Sequence, residues 1–213
     1  MAEGDLSGPS LADDLYFVMH DGVTGHARLH PRLASLGLAG AVIAELLLAE
    51  RVAVDLESGR DRLYATGRGA VGDPLAQNVI DHVDAEPDHP LDTWLLFLSR
   101  TVYADVQSKM IAAKLLSPPA KRLLKSQQPA PTDTNTAVWP LARLNLAIQR
   151  RKPPAVRDCV LYGLCVATGC AQQAMWEHDS AFASAMTATL PAPLQRLIIH
   201  TEVAIGRVVI SRR

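Results

Sequence analysis

Residues 36–55 read LGLAGAVIAELLLAERVAVD, a long apolar run with Glu45 in its middle and a change of rhythm at Arg51. Three structures carry such a run: a membrane span, the interior helix of a folded domain, or the start of a helix-and-wing module that reads nucleic acid. A spanning helix needs about 20 apolar residues. The longest charge-free stretch here, Leu33 to Ala44, stops short of that, and Glu45 would sit near the bilayer centre. The apolar segment from Cys159 to Ala171 is also short and is followed by Gln172 and Gln173. A groove-reading helix presents basic residues to the duplex, whereas Leu33 to Glu50 contains no Lys or Arg, and its central apolar positions go all round the helix. The remaining reading is an interior helix. Past Arg51 the period falls to two, with Val52 and Val54 on one side, a turn at ESGRD, and Leu63 and Ala65 returning, which predicts a small β-hairpin.

The flanking sequence extends this helical reading. Ser10 is placed to cap a helix with Leu11, Leu15 and Val18 on its apolar side and Asp13 and Asp14 in its first turn, where the helix dipole favours negative charge. Pro31 suits the first position of the central helix. Asp73 and Pro74 open another helix that AEPDHP stops, and residues 91–116 carry helical spacing in two pieces. Residues 117–140 are rich in proline and turn formers and predict a loop or irregular hairpin. Helices are expected again at 141–151, 155–177, 181–190 and 193–209. Few residues are aromatic, 5% against 48% hydrophobic overall, which favours packed helices over strands. The fold class is therefore mainly α: a single-domain helical bundle over residues 10–213 with peripheral amphipathic helices and one or two small β-hairpins, after a disordered leader at residues 1–9. That leader has neither the basic end nor the apolar stretch of a secretory signal.

Charge is distributed unevenly. Residues 1–99 carry −10 and residues 100–152 carry +8, and all five lysines lie in that middle block. Clustered cations raise the local concentration of anions. The block either faces an anionic partner or lies against the acidic first half of the folded chain.

Motifs that would signal catalysis are missing: no nucleophile elbow, phosphate-binding loop, dinucleotide glycine pattern or zinc-protease helix is present. Cys159, Cys165 and Cys170 lack the paired spacing of a zinc site and read as buried, reduced thiols. His26 and His30 lie between glycine and proline, not on a clear helix, and read as surface residues. Neither a metal nor another cofactor is expected.

LADDLYFVMHDGVTG followed by LGLAGAVIAELLLAERVAVD resembles the opening of the Golgi phosphoprotein 3 family in kind and order. It has an acidic L-x-x-[DE]-L helix, an Asp/Gly turn, a G-L-x-G-x-x-x-x-E-L helix, a basic residue and a strand. Later parts agree more loosely, through the helix around Trp94, the segment before WPLARLNLAIQRR and an Ala/Leu/Cys/Gly-rich helix near the C-terminus. Ala, Leu and Arg usage looks like the bacterial branch. The resemblance implies a hydrophobic central bundle with a protruding hairpin that aids membrane insertion or self-association. It also implies a basic pocket on a flat face that, in eukaryotic members, binds phosphatidylinositol 4-phosphate.

Carried across, the pocket's Trp falls at His30, its G-L-x-G Arg at Ala39, and its later Arg pair near Ala104 and Gln107; none keeps the eukaryotic identity. Positive charge is displaced instead. Head-group candidates are therefore Arg28, His30, Arg32, Gln107, Lys109 and Lys114. Membrane-surface candidates are Lys121, Arg122, Leu123, Leu124, Lys125 and Trp139, since cations beside apolar or Trp residues suit an anionic bilayer surface. The expected function is non-enzymatic: a cytoplasmic protein peripherally bound to the inner face of a membrane through anionic lipid, with a homo-oligomer as a further possible association. The alternatives are a nucleic-acid-binding regulator using Arg60, Arg62 and Arg68 on the hairpin as a wing, and a protein-binding scaffold.

Overall fold

The central apolar stretch forms helix α2 (Pro31–Leu48), and the other elements are arranged around it. The computed structural model describes residues 9–210 except 58, 70, 88, 120, 123, 124, 127, 153 and 176–178, and leaves the side chains of residues 121, 122, 125 and 126 undescribed. Ahead of α2 stands α1 (Leu11–Val18), and after it come β1 (Val52–Asp55), β2 (Arg62–Ala65), α3 (Pro74–Ala85), α4 (Leu91–Leu98) and α5 (Val102–Ala112). Two-residue strands β3 (Lys121–Arg122) and β4 (Lys125–Ser126) follow, then α6 (Thr134–Arg150), α7 (Val156–Ala167), α8 (Ala171–Ala174), α9 (Ser180–Ala188) and α10 (Ala192–Ile210). The mainly α class with small antiparallel hairpins is what the sequence predicts.

Helix α2 touches α1, α4, α5, α7 and α10. Its two motif glycines permit that crowding. A Cβ on Gly37 would stand 2.6 Å from Thr168 Cγ2 and 2.7 Å from Met19 Cε, and one on Gly40 would stand 2.9 Å from Thr201 Oγ1. By length and composition α2 passes as a membrane span, with a mean hydropathy of 1.5, yet 61% of it is buried inside the protein. Burial on all sides, including at Ala34, Leu38, Ala41 and Ile43, also leaves no face for reading a nucleic-acid groove.

Local signals hold at several boundaries. Ser10 and Asp13 form a capping box on α1, and Asp73 accepts the Leu75 N–H at the start of α3. Val52 pairs with Ala65 and Val54 with Leu63, the register expected for the hairpin. The hairpin is not a free wing. Asp61, next to β2 and in left-handed backbone (φ 46°), is buried and accepts hydrogen bonds from Arg196 Nε at 2.7 Å and His200 Nε2 at 2.8 Å, both on α10.

Two expectations are corrected. Helix α6 begins at Thr134, seven residues before the predicted start, because Asp133 caps it by accepting the Asn135 and Thr136 N–H groups. Pro140 forfeits one backbone hydrogen bond, but it lies on the buried stripe Ala137, Pro140, Leu144 and Ile148 and the helix passes through it. The single helix predicted for 155–177 is two, because the chain turns at Gly169 (φ 76°) between α7 and α8. All three cysteines are buried, and burial pushes the Cys170 thiol up to about 12. Such a thiol is a packing group, not a nucleophile.

Candidate anionic-ligand site

The basic middle block divides into cations consumed inside the protein and cations left open. Lys109 belongs to the first kind. Its ammonium lies 3.1 Å from both Asp13 and Asp73 and donates to Ser10 Oγ at 2.6 Å, tying α5 to the starts of α1 and α3. Burial disfavours its charge, but the two carboxylates outweigh burial and hold the amine above its ordinary value. Arg143 on α6 likewise donates to Asp158 (Nε, 2.9 Å) and to Asp14 (3.1 Å). Arg157 on α7 reaches Glu45 at 3.3 Å and the Pro9 carbonyl at 2.6 Å.

The lone glutamate of the central helix thus has a role. Glu45 accepts the Leu11 N–H at 2.9 Å, stabilising the first turn of α1, and pairs with Arg157. Burial pushes the pKa of Glu45 and of Asp14 above the ordinary carboxylate value, opposed in both cases by the neighbouring arginines. Part of the charge asymmetry is therefore internal: Lys109 and Arg143 lie against the acidic first half.

The open cations converge elsewhere. Arg32, in the first turn of α2, and Arg100, just past α4, line one cavity of about 530 Å³ with Ser35, Leu36, Leu96 and Val208. Neither guanidinium has an ion pair or hydrogen bond among the described residues, and both side chains are exposed. His30 caps the same helix, its Nδ1 accepting the Arg32 N–H at 3.2 Å. The α2 N-terminus adds its partial positive charge to the two arginines. Leu96, one helical turn before Arg100, stands exposed at the rim.

The other sequence candidates scatter. Arg28 leans on Asp21 at 3.6 Å, and Gln107 donates to the Tyr16 hydroxyl at 3.0 Å. Lys114 is exposed in left-handed backbone just beyond α5. Ala39 is fully buried, so the pocket position that falls there lies in the core. Trp139 is 57% exposed and borders a separate cavity of about 580 Å³ with Arg143 and Arg157. Lys121, Arg122 and Lys125 belong to the β3–β4 hairpin, but their side chains, and Leu123 and Leu124 entirely, lie outside the described residues. Thus the structure brings His30 and Arg32 together and adds Arg100, which the sequence reading counted in the basic block without assigning it a role. Its spacing of four from Leu96 is the signal that pairs a cation with an apolar rim.

Beside this region lies a buried polar cluster. The Tyr16 carbonyl only accepts, so at 2.6 Å it fixes the proton of neutral His20 on Nδ1, and Nε2 then accepts the Tyr103 hydroxyl at 2.7 Å. Burial lowers the His20 value below the ordinary 6.5. The unfolded chain then binds this proton before the folded one does, so stability from neutral His20 is lost as pH falls through 6.5. Asp14 and Glu45, with raised values, act in the opposite direction. Thermal unfolding midpoints measured from pH 7 down to about 5 should therefore fall more steeply for the native protein than for His20→Gln.

A family model described as Golgi phosphoprotein 3 (GPP34) matches residues 11–200. No curated protein matches the chain.

Proposed function

We propose that this chain, which belongs to the Golgi phosphoprotein 3 family, is a peripheral membrane protein that binds the anionic head groups of lipids. The family is not an enzyme family and is known for phosphoinositide and Golgi association. The observation that carries the reading is the pair Arg32 and Arg100, two uncommitted guanidiniums lining one open cavity at a helix N-terminus. A phosphate ester wants charge-assisted, bidentate donors, and two forked guanidiniums supply them. The exposed rim residue Leu96 gives the acyl boundary an apolar contact.

On this reading the ligand is a phosphoinositide-like anionic lipid, held on the cytoplasmic face of a membrane. Arg32 and Arg100 replace the arginines that the eukaryotic pocket has at the Ala39, Ala104 and Gln107 positions. On this reading the chain is of the family's bacterial branch, which its Ala, Leu and Arg usage resembles. Trp139, exposed at the separate cavity, and the cations Lys121, Arg122 and Lys125 of the sequence add attraction to an anionic surface.

Sedimentation with vesicles tests the reading. Binding should rise with the anionic lipid fraction and fall as salt is raised from low to about 0.15 M and beyond, because surface attraction is screened over a Debye length of about 8 Å at that ionic strength. Binding that ignores both anionic lipid and salt would sink it.

A further inference from the structure

Helix α4 and the turn after it present Leu96 and Arg100 to the cavity described above, and α4 presents Thr93 and Phe97 to a second, smaller one. The latter has a volume of about 100 Å³ and lies between the C-terminal end of α3 and α4, where His82, Glu86, His89, Trp94 and Phe97 line it. Its rings stand nearly perpendicular to one another: Trp94 to Phe97 at 86° with centroids 5.8 Å apart, His82 to Phe97 at 80° and 5.2 Å, and His89 to Trp94 at 76° and 6.0 Å. Glu86 closes the set and holds His89 at 3.0 Å.

Glu86 is the one carboxylate among the described lining residues; in sequence, residues 81–92 hold five carboxylates and no Lys or Arg, of which Asp92 pairs with Arg207. Trp94 is only 3% exposed and its indole N–H has no hydrogen-bond partner among the described residues. A phenyl ring would fill the space without burying that donor unpaired. What indole offers over phenyl is the stronger attraction of its face for a cation.

From these observations we infer that the α3–α4 cavity is a binding site for a methylated ammonium group, of the choline type. Perpendicular aromatic walls surround such a group with π faces, and the methyls prefer those walls to water while the positive charge answers Glu86. The cavity, at about 100 Å³, is smaller than the roughly 150 Å³ that takes benzene, so it receives the methyl face of a trimethylammonium head and leaves the rest of the group in water. A bare ammonium, strongly hydrated, gains less from such walls, and an anion is repelled by Glu86.

The group reaches the site either as a free small molecule or as the head group of a lipid, and the site is independent of the anionic-lipid reading. Calorimetric titration of the full chain with choline and with its uncharged carbon isostere, dimethylbutanol, separates charge recognition from simple apolar filling. Choline should bind saturably and about tenfold more tightly than the isostere, the upper part of the range for a desolvated cation–π contact. Phe97→Leu keeps apolar bulk but removes a wall, and should weaken choline about fivefold while leaving the unfolding midpoint close to that of the native chain. Glu86→Gln, at an exposed position, should weaken it severalfold. Equal affinity for choline and the isostere, or no saturable heat with choline, would overturn the inference. Sedimentation with vesicles of phosphatidylcholine alone at high salt assigns the source: sedimentation lost in Phe97→Leu points to the lipid, and choline binding without sedimentation points to the free molecule.

Discussion

Replacing Arg143 with methionine should lower stability by about 3 kcal/mol, the low end for breaking a buried ion pair by removing one partner. Arg143 is the only described partner of Asp158 among the ion pairs, and it shares Asp14 with Arg157, which lies farther from it at 3.6 Å. Both carboxylates are largely buried, so their desolvation would remain without its compensation. For a domain of this size each kcal/mol shifts the unfolding midpoint by about 2–4 °C, so a fall of roughly 6–12 °C is expected by calorimetry. The triple variant Asp14→Asn, Arg143→Met, Asp158→Asn should recover part of it, because neutral amides are cheaper to bury than unpaired carboxylates. A change below about 1 kcal/mol for Arg143→Met, the level of an exposed pair, would mean that solvent screens this network.

Gly40→Val should have a comparable effect for a different reason. A Cβ there meets Thr201 Oγ1 at 2.9 Å and Leu164 Cδ2 at 3.1 Å, and valine adds two methyls beyond it. Thr201 is fixed by its hydrogen bond to the Leu197 carbonyl and is fully buried on α10, so it has little room to yield. Overpacking of this kind costs about 3 kcal/mol, against a helix-propensity gain below about 1 kcal/mol. Chemical denaturation would report it as a lower midpoint with an unchanged slope. The second glycine of the G-L-x-G motif therefore reads as a packing requirement, the close approach of α2 to α7 and α10.

Features encoded by neighbouring residues were legible in the sequence, and features that depend on distant partners were not. The Ser10 and Asp73 caps, the all-round apolar middle of helix α2 and the two-residue alternation of β1 and β2 each depend on neighbours a few residues away. Asp13 and Asp14 read only as first-turn acids that suit the helix dipole, because their partners are far off; Arg143 lies 129 positions from Asp14. The early start of α6 was hidden by Pro140, although Asp133 and the stripe through Leu144 and Ile148 marked it. At the candidate site, Arg32 and His30 came from the family resemblance. Arg100 was visible as charge, but its meeting with Arg32 depends on how α4 packs against α2. Lys109, a candidate by charge alone, is engaged by Asp13 and Asp73, which local sequence does not reveal.

Vesicle sedimentation of Arg32→Glu, Arg100→Glu against the native chain tests the proposed function most directly. Each cation beside an anionic surface contributes about 1 kcal/mol, so reversing two should weaken binding to anionic vesicles at least tenfold. The unfolding midpoint should stay unchanged, since neither guanidinium has a partner among the described residues to lose. Native-level binding by this double variant, folded and at low salt, would contradict a head-group site at the α2 N-terminus.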